Sequence, residues 1–154
     1  MKRHPALRAL STDHHHGLVQ ARRLIQAGTA GPAEAPAALA VAQAFLAFWM
    51  EETRLHFRAE EEVLLPAFAR YGDPAQAPII RLLVEHVRIR QLVAALQEQT
   101  VAGAPTPTTM EMLGTLLRDH IRYEEDVVFP LLERTMPEEA LAALPGVLAA
   151  VAGA

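Results

Sequence analysis

Two stretches of the sequence repeat an arrangement of histidine and acidic residues that is suited to binding a metal ion. Residues 56–66 read HFRAEEEVLLP and residues 120–130 read HIRYEEDVVFP. In both, a glutamate follows the histidine by four positions, and residues with that spacing lie on the same face of an α-helix. Each stretch therefore predicts an imidazole and a carboxylate on one helix face, namely His56 with Glu60 and His120 with Glu124.

The residues next to these pairs indicate that the pairs face the protein interior. Apolar side chains follow both glutamates, at Val63 and Leu64 in the first stretch and at Val127 and Val128 in the second. A buried polar group without a partner costs roughly 2–7 kcal/mol, so inward-facing histidine and glutamate side chains require a partner. The alternative is a solvated acidic face beside a core histidine, which suits a single copy better than a repeated one.

A weaker repeat adds one histidine from each of two further helices. The sequence LSTDH at residues 10–14 echoes LLVEH at residues 82–86. The apolar stripe of the first helix, extended backwards in helical steps, meets His14 before His15 or His16, which remain alternative ligands. The sequence thus predicts two copies of a helix pair related by a pseudo-twofold axis, with four imidazoles and two carboxylates in the middle.

This set of donors favours two metal ions over one. Six nitrogen and oxygen ligands are too many for a tetrahedral zinc ion, but they suit two ions about 3.5–4 Å apart that share the glutamates and keep two histidines each. Imidazole and carboxylate bind iron, manganese or zinc, and a dinuclear site with open positions in a helical bundle favours iron. Because two glutamates do not balance the charge of two cations, a bridging oxide or hydroxide is expected.

The composition favours a single helical domain. The chain has 154 residues, of which 51% are hydrophobic and only 5% aromatic, with alanine and leucine dominant. A chain of this length can enclose a core, and this composition favours helix over sheet. The chain contains no cysteine, which excludes disulfides and thiolate ligands and agrees with a reducing, cytoplasmic location.

Charge and hydropathy argue against two classes of partner. The 14 basic and 18 acidic residues are interspersed and give a formal net charge of −4. Because no basic stripe stands out, nucleic acid is not expected as a partner. The N-terminal sequence MKRHPALRALS carries no apolar run long enough for a signal peptide, and no segment is long enough to span a bilayer, so no membrane association is expected.

Apolar periodicity and loop residues predict an all-α fold, an up-down-up-down four-helix bundle. The main helices are expected from Ser11 or Thr12 to Ala27, from Ala37 to Tyr71, from Gln76 or Pro78 to Gln99, and from Thr108 to Thr135. The whole chain, 1–154, is expected to form one domain with its core at about 7–135. The sequence leaves the oligomeric state open.

Several local features of these helices can also be predicted. The hydroxyl of Ser11 or Thr12 is expected to cap the first helix. Pro66 and Pro130 are expected to kink the second and fourth helices, because proline removes a backbone hydrogen bond. Residues 137–154 are expected to form a short helix or tail, interrupted at Pro145 and Gly146, that lies on the bundle or makes an oligomer contact.

The pattern resembles the hemerythrin-like, His-His-Glu cation-binding domains, and the sequence DHHHGLVQARRL from Asp13 onwards is similar to the first helix of bacterial members. The resemblance extends from about Leu7 to Leu132. It implies a four-helix bundle that holds a non-haem di-iron centre, with functions among O2 binding, nitric oxide or peroxide handling, and iron or redox sensing. The metal ligands that it implies are His14, His56, Glu60, His86, His120 and Glu124.

The chain departs from the oxygen-carrying hemerythrins at two places. Those proteins carry a second histidine in the third helix, whereas Arg90 and Leu82 occupy the positions four residues either side of His86. They also place the last carboxylate five residues after the fourth-helix histidine, where this chain has Glu125 in addition to Glu124 at four. Without the additional histidine, both ions are expected to keep open coordination positions, which favours redox chemistry on O2, peroxide or nitric oxide. The alternative is a protein that carries or senses O2 or iron without catalysis.

The remaining acidic residues of the repeat have a less distinctive expected role. They are predicted to be solvated or paired with Arg58 and Arg122, and an orienting role toward the metal-binding histidines is the alternative. These residues are Glu61, Glu62, Glu125 and Asp126.

Overall fold

The computed structural model describes residues 2–152, and this part of the chain contains five helices and no strand. Helix α1 is Arg8–Thr29, α2 covers residues 35–68, α3 is Ala77–Val101, α4 covers residues 107–135 and α5 is Glu138–Ala152. The short 3-10 turns Pro5–Leu7 and Pro32–Glu34 precede α1 and α2. The predicted all-α class is therefore confirmed.

Helices α1 and α4 form the most extensive helix–helix contact. Two glycines permit this close approach, because a Cβ atom at Gly114 would lie 2.6 Å from the Ala21 carbonyl oxygen and one at Gly28 would lie 2.7 Å from the Pro107 carbonyl oxygen. Helix α3 packs against α4 and α2, and α2 also packs against α1. Helix α5 lies against the turn Pro5–Leu7 and the second half of α2.

The hydrophobic core consists of two clusters. One contains Leu10 of α1, Phe68 of α2 and Phe129 of α4, and the other contains Leu24 of α1 and Phe45 of α2. Each of the four long helices contributes residues to both clusters, with one cluster towards each end of the helix. The candidate metal ligands lie in the stretch of each helix where one cluster gives way to the other. The fold therefore places the candidate site between two apolar layers.

Helices α2 and α4 each contain a π turn that begins at a candidate ligand. The turns are Glu60–Leu64 and Glu124–Val128, and in them the backbone N–H groups of Leu65 and Phe129 donate to the carbonyl oxygens of Glu60 and Glu124. A third π turn, Trp49–Thr53, lies earlier in α2. Both helices continue through Pro66 and Pro130, which lie two residues after the π turns end. The kinks predicted at these two prolines stay predictions.

The predicted start of α1 was wrong. The helix begins at Arg8 and its N-cap, Leu7, makes no side-chain cap hydrogen bond. The turn Pro5–Leu7 leads into the helix three residues before Ser11, and His4 caps that turn by accepting a hydrogen bond from the Ala6 N–H. Ser11 instead donates to Glu125 across the molecule.

Pro145 and Gly146 interrupt the apolar character of the C-terminal segment but do not end its helix. Helix α5 is 15 residues long and includes both Pro145 and Gly146. Residues 153–154 of the predicted tail lie outside the described part of the chain. Leu141 and Leu144 are buried in the first core cluster, and this packing offsets the cost of a proline inside a helix. No helix in the described part of the chain combines the length and apolar character needed to cross a membrane.

Candidate metal centre

The structure brings all six predicted ligand side chains together between the core clusters. Each is buried, with at most 7% of its surface exposed. They come from four helices: one histidine from α1, a histidine and a glutamate from α2, one histidine from α3, and a histidine and a glutamate from α4. The six residues are His14, His56, Glu60, His86, His120 and Glu124.

The histidines form two pairs. His14 of α1 and His56 of α2 place their Nε2 atoms 3.1 Å apart. His86 of α3 and His120 of α4 form the other pair, with ring centroids 4.9 Å apart. Each helix hairpin of the predicted repeat therefore contributes one pair of imidazoles to the site.

Each buried glutamate contacts both pairs through different oxygens. Glu60 Oε1 lies 3.2 Å from His56 Nε2, and its Oε2 lies 3.3 Å from His86 Nε2. Glu124 Oε2 lies 2.9 Å from His14 Nε2, and its Oε1 lies 3.0 Å from His120 Nε2. Two carboxylates that span two imidazole pairs in this way have the geometry of bridging ligands.

The polar atoms at the centre of the site lack hydrogen-bond partners among the described residues. Both oxygens of Glu60 and of Glu124 and the Nε2 atoms of His86 and His120 are fully enclosed, and none forms a hydrogen bond of acceptable geometry. Leaving each such group unpaired costs roughly 1–3 kcal/mol, and more when it is charged. Cations held between the imidazole pairs would satisfy all six atoms, so the donor set fits a pair of metal ions.

The other ring nitrogen of every histidine faces a second carboxylate. His14 Nδ1 lies 2.6 Å from Glu125, and His86 Nδ1 lies 2.7 Å from Glu61. His56 Nδ1 lies 3.2 Å from Asp13, and His120 Nδ1 lies 2.9 Å from Glu85. We call these four residues, Asp13, Glu61, Glu85 and Glu125, the outer carboxylates. By accepting a hydrogen bond from Nδ1 they orient each ring so that its Nε2 atom faces the centre.

The outer carboxylates obey the same pseudo-twofold relation as the ligands. Glu61 and Glu125 directly follow the buried glutamates, whereas Asp13 and Glu85 directly precede the histidines of α1 and α3. The sequence repeat displayed both relationships. For Glu61 and Glu125, the contacts agree with the alternative prediction, an orienting role toward the histidines. For Asp13 and Glu85, the sequence analysis predicted no role.

Arginines hold three of the outer carboxylates. Arg90 donates to Glu61 at 2.6 Å, Arg81 donates to Glu85 at 2.7 Å, and Arg3 donates to Glu125 at 2.7 Å. The predicted pairing with Arg58 is confirmed only for Glu62, at 3.0 Å. For Glu61 and Glu125 the prediction of solvation or of pairing with Arg58 and Arg122 was wrong, because these carboxylates face the histidines and are held by Arg90 and Arg3.

The carboxylates around the site control its electrostatics. Burial lowers the pKa of His86, but Glu124, Glu60 and Glu61 outweigh it and raise the pKa to about 10. Burial likewise opposes ionisation of Glu61 and Glu125, but hydrogen bonds from the histidines and arginines lower the pKa of each carboxyl to about 2. Glu61 and Glu125 therefore stay ionised at neutral pH and place negative charge beside the histidines.

Aromatic rings cover the histidines unequally. Phe57 stacks on His86 with ring centroids 3.7 Å apart and meets His120 edge-on at 5.4 Å. Phe129 stacks on His14 at 5.3 Å. The space beside the first histidine pair is less filled, because a cavity of about 20 Å³ reaches His14 and His56.

The walls of this cavity come from α1, α2 and α4. Gly17, Leu117 and Ile121 supply apolar surface, and Thr53 supplies a hydroxyl. A larger side chain at Gly17 would displace Ile121, because a Cβ atom there would lie 2.7 Å from Ile121 Cδ1. A volume of this size accommodates one or two water-sized groups.

The remaining histidines lie away from the centre. His15 and His16 are exposed, and His16 Nδ1 lies 2.9 Å from Glu52 at the surface. The inward position therefore belongs to His14, as the apolar stripe indicated. His4 faces Glu138 of α5 at 3.1 Å and takes no part in the site.

One family model matches the chain. It is described as the hemerythrin HHE cation binding domain and matches residues 6–132, a range that includes every candidate ligand and outer carboxylate. No curated protein and no solved structure matches the chain.

Proposed function

Because the chain belongs to the hemerythrin HHE cation-binding family, we propose that it is a non-haem di-iron protein. In this proposal it binds or reacts with O2, peroxide or nitric oxide as part of redox or oxidative-stress handling. His14 and His56 would hold one iron, His86 and His120 would hold the other, and Glu60 and Glu124 would serve both.

The single observation that carries the proposal is the set of enclosed, unpartnered atoms at the centre of the site. Both oxygens of Glu60 and Glu124 lack hydrogen-bond partners in the described part of the chain, although each lies close to an imidazole nitrogen. Two anions in a buried space are costly unless cations compensate them. A structural cluster of core histidines would instead pair these atoms with hydrogen-bond donors.

Iron is the metal that the donor set suits best. The site offers imidazole nitrogens and carboxylate oxygens without sulfur, and the family is one of cation-binding domains. Manganese and zinc accept the same donors and are the alternatives. An up-down-up-down order of α1 to α4 belongs to the same proposal, because it brings the two helix pairs of the repeat together.

The protein's own residues prepare the site in three ways. The outer carboxylates fix the orientation of the four imidazoles through Nδ1. Phe57 and Phe129 exclude water from the ring faces that they cover. The cavity beside His14 and His56 provides space for a small molecule. The iron centre, once bound, supplies the exchange of electrons with that molecule.

A carrier or sensor without turnover is the second candidate. One part of the cavity wall favours it, since Gly17, Leu117 and Ile121 present apolar surface there. Reversible binding benefits from such surroundings, because protonation of a bound oxygen species promotes its loss.

Metal analysis combined with gas and peroxide challenges tests the proposal. The purified protein should contain close to two irons per chain, and its absorption spectrum should change when the reduced form, prepared without air, is exposed to O2, peroxide or nitric oxide. Consumption of peroxide or nitric oxide supports the redox function, and a reversible spectral change without consumption supports the carrier. A protein that takes up no iron, or only one ion, contradicts the di-iron site.

A further inference from the structure

The cavity beside His14 and His56 is lined by a threonine side chain that the metal-binding residues do not use. Thr53 lines the cavity and is only 7% exposed. It lies on α2 three residues before His56, which places it about one helical turn away from that ligand.

The Thr53 hydroxyl contrasts with those of three other helical threonines, which each bond to their own helix. Thr12, Thr29 and Thr100 each donate to the carbonyl oxygen four residues earlier. Thr53 ends the π turn Trp49–Thr53, where the Trp49 carbonyl oxygen accepts the Arg54 N–H. Across residues 2–152, the Thr53 hydroxyl takes part in no hydrogen bond, whereas the neighbouring polar groups of Glu52 and His56 do.

The other groups around the cavity offer no comparable donor to a ligand. His14 and His56 direct Nδ1 to Glu125 and Asp13, and their Nε2 atoms point to the centre. Carboxylates of the wall accept hydrogen bonds but donate none when ionised. Leu117, which lies three residues before His120 as Thr53 lies before His56, is apolar. The two halves of the repeat thus differ at this position, and only one carries a hydroxyl.

We propose that Thr53 donates a hydrogen bond to a small ligand in this cavity and so orients it and slows its release. The ligand class is a molecule of two or three heavy atoms with an oxygen acceptor, such as nitric oxide or O2. The volume of about 20 Å³ sets this size limit. The inference rests on the proposed function, because it places the ligand next to the iron held by His14 and His56.

The test compares nitric oxide complexes of the iron-loaded wild-type protein with those of three variants. Thr53→Val removes the hydroxyl at nearly constant volume, and Thr53→Ser retains it. Thr12→Val is the matched control, because it removes an exposed helical hydroxyl whose bond is to Arg8. Iron content is measured first. The rate of nitric oxide release and the N–O stretching band, in H2O and in D2O, are then recorded.

We expect Thr53→Val to release nitric oxide about tenfold faster, as loss of one hydrogen bond predicts. Its N–O band should shift and lose its sensitivity to D2O. The Thr53→Ser and Thr12→Val variants should behave like wild type in both measurements, and all variants should keep their iron.

Two outcomes overturn the inference in distinguishable ways. If wild type and Thr53→Val hold iron but show the same release rate and the same band, Thr53 is not the donor, and the proposed function is unaffected. If the wild-type protein holds no iron or binds no nitric oxide, the proposed function fails and the inference fails with it.

Discussion

His14 and His56 place their Nε2 atoms 3.1 Å apart, although their Nδ1 atoms both face carboxylates. Two imidazoles that each donate through Nδ1 need a positive group, either a proton or a metal ion, between or beside their Nε2 atoms. Glu124 Oε2, at 2.9 Å from His14 Nε2, adds negative charge to the same space. In the metal-free protein a proton can meet this need, because the pKa of each histidine is raised by neighbouring carboxylates against the effect of burial. In the proposed function a metal ion would replace it.

The bridging role of Glu124 predicts a specific loss on amide substitution. Glu124→Gln keeps the shape of the side chain but removes its charge, and it leaves one nitrogen that cannot bind a metal ion. We expect the variant to retain one iron per chain or none, measured by elemental analysis. Glu62→Gln, on the exposed side of α2 and paired with Arg58, is the control and should keep full iron content. Full iron in Glu124→Gln would contradict the bridging assignment.

The outer carboxylates should affect metal affinity without binding the metal. Glu125→Gln weakens the hydrogen bond from His14, and partners of this kind typically change affinity by about 10–100-fold. A chelator competition should measure this decrease. Asp126→Asn, one residue further along α4, is the matched control, because Asp126 is exposed. An affinity equal to wild type in Glu125→Gln would show that the imidazole needs no such support.

Gly17 should control access to the cavity. A Cβ atom at this position would lie 2.7 Å from Ile121 Cδ1, so the alanine side chain of Gly17→Ala should reduce the space beside His14. We expect normal iron content but weaker binding of nitric oxide or O2, measured by optical titration. Replacing Ile121 by valine in the same protein should restore part of the binding. Unchanged binding in the single variant would mean that small molecules reach the iron by another route.

Removal of the metal should lower the stability of the fold. The bound ions are expected to stabilise the native protein by roughly 2.7 kcal/mol at a free concentration one hundred times the dissociation constant. For a domain of this size, that corresponds to a fall in melting temperature of about 5–10 °C on treatment with a chelator. Thermal unfolding followed by circular dichroism measures this change. Identical melting curves with and without chelator would exclude a stabilising role for the metal.

The sequence predicted which side chains meet at the centre of the bundle because local geometry determines their direction. A histidine and a glutamate four residues apart share a helix face whatever the tertiary fold, so His56 with Glu60 needed only the prediction of a helix. The choice of His14 over its neighbours depended on the apolar stripe of α1, which also is local information. In both cases the helical period was sufficient.

The outer contacts were harder to predict because they depend on tertiary packing and on backbone irregularity. Glu60 and Glu61 are adjacent, and a regular helix separates adjacent side chains by about 100°. In the structure both contact His86, from the start of a π turn. Arg3 reaches Glu125 from a segment 122 residues away along the chain, and no periodic pattern signals such a contact.

The most direct test is a crystal structure of the iron-loaded protein with diffraction data collected on both sides of the iron absorption edge. We predict two anomalous peaks about 3.5–4 Å apart, one beside His14 and His56 and the other beside His86 and His120, with Glu60 and Glu124 in contact with both. A single peak, or peaks only at the exposed His15 and His16, would contradict the proposed di-iron centre.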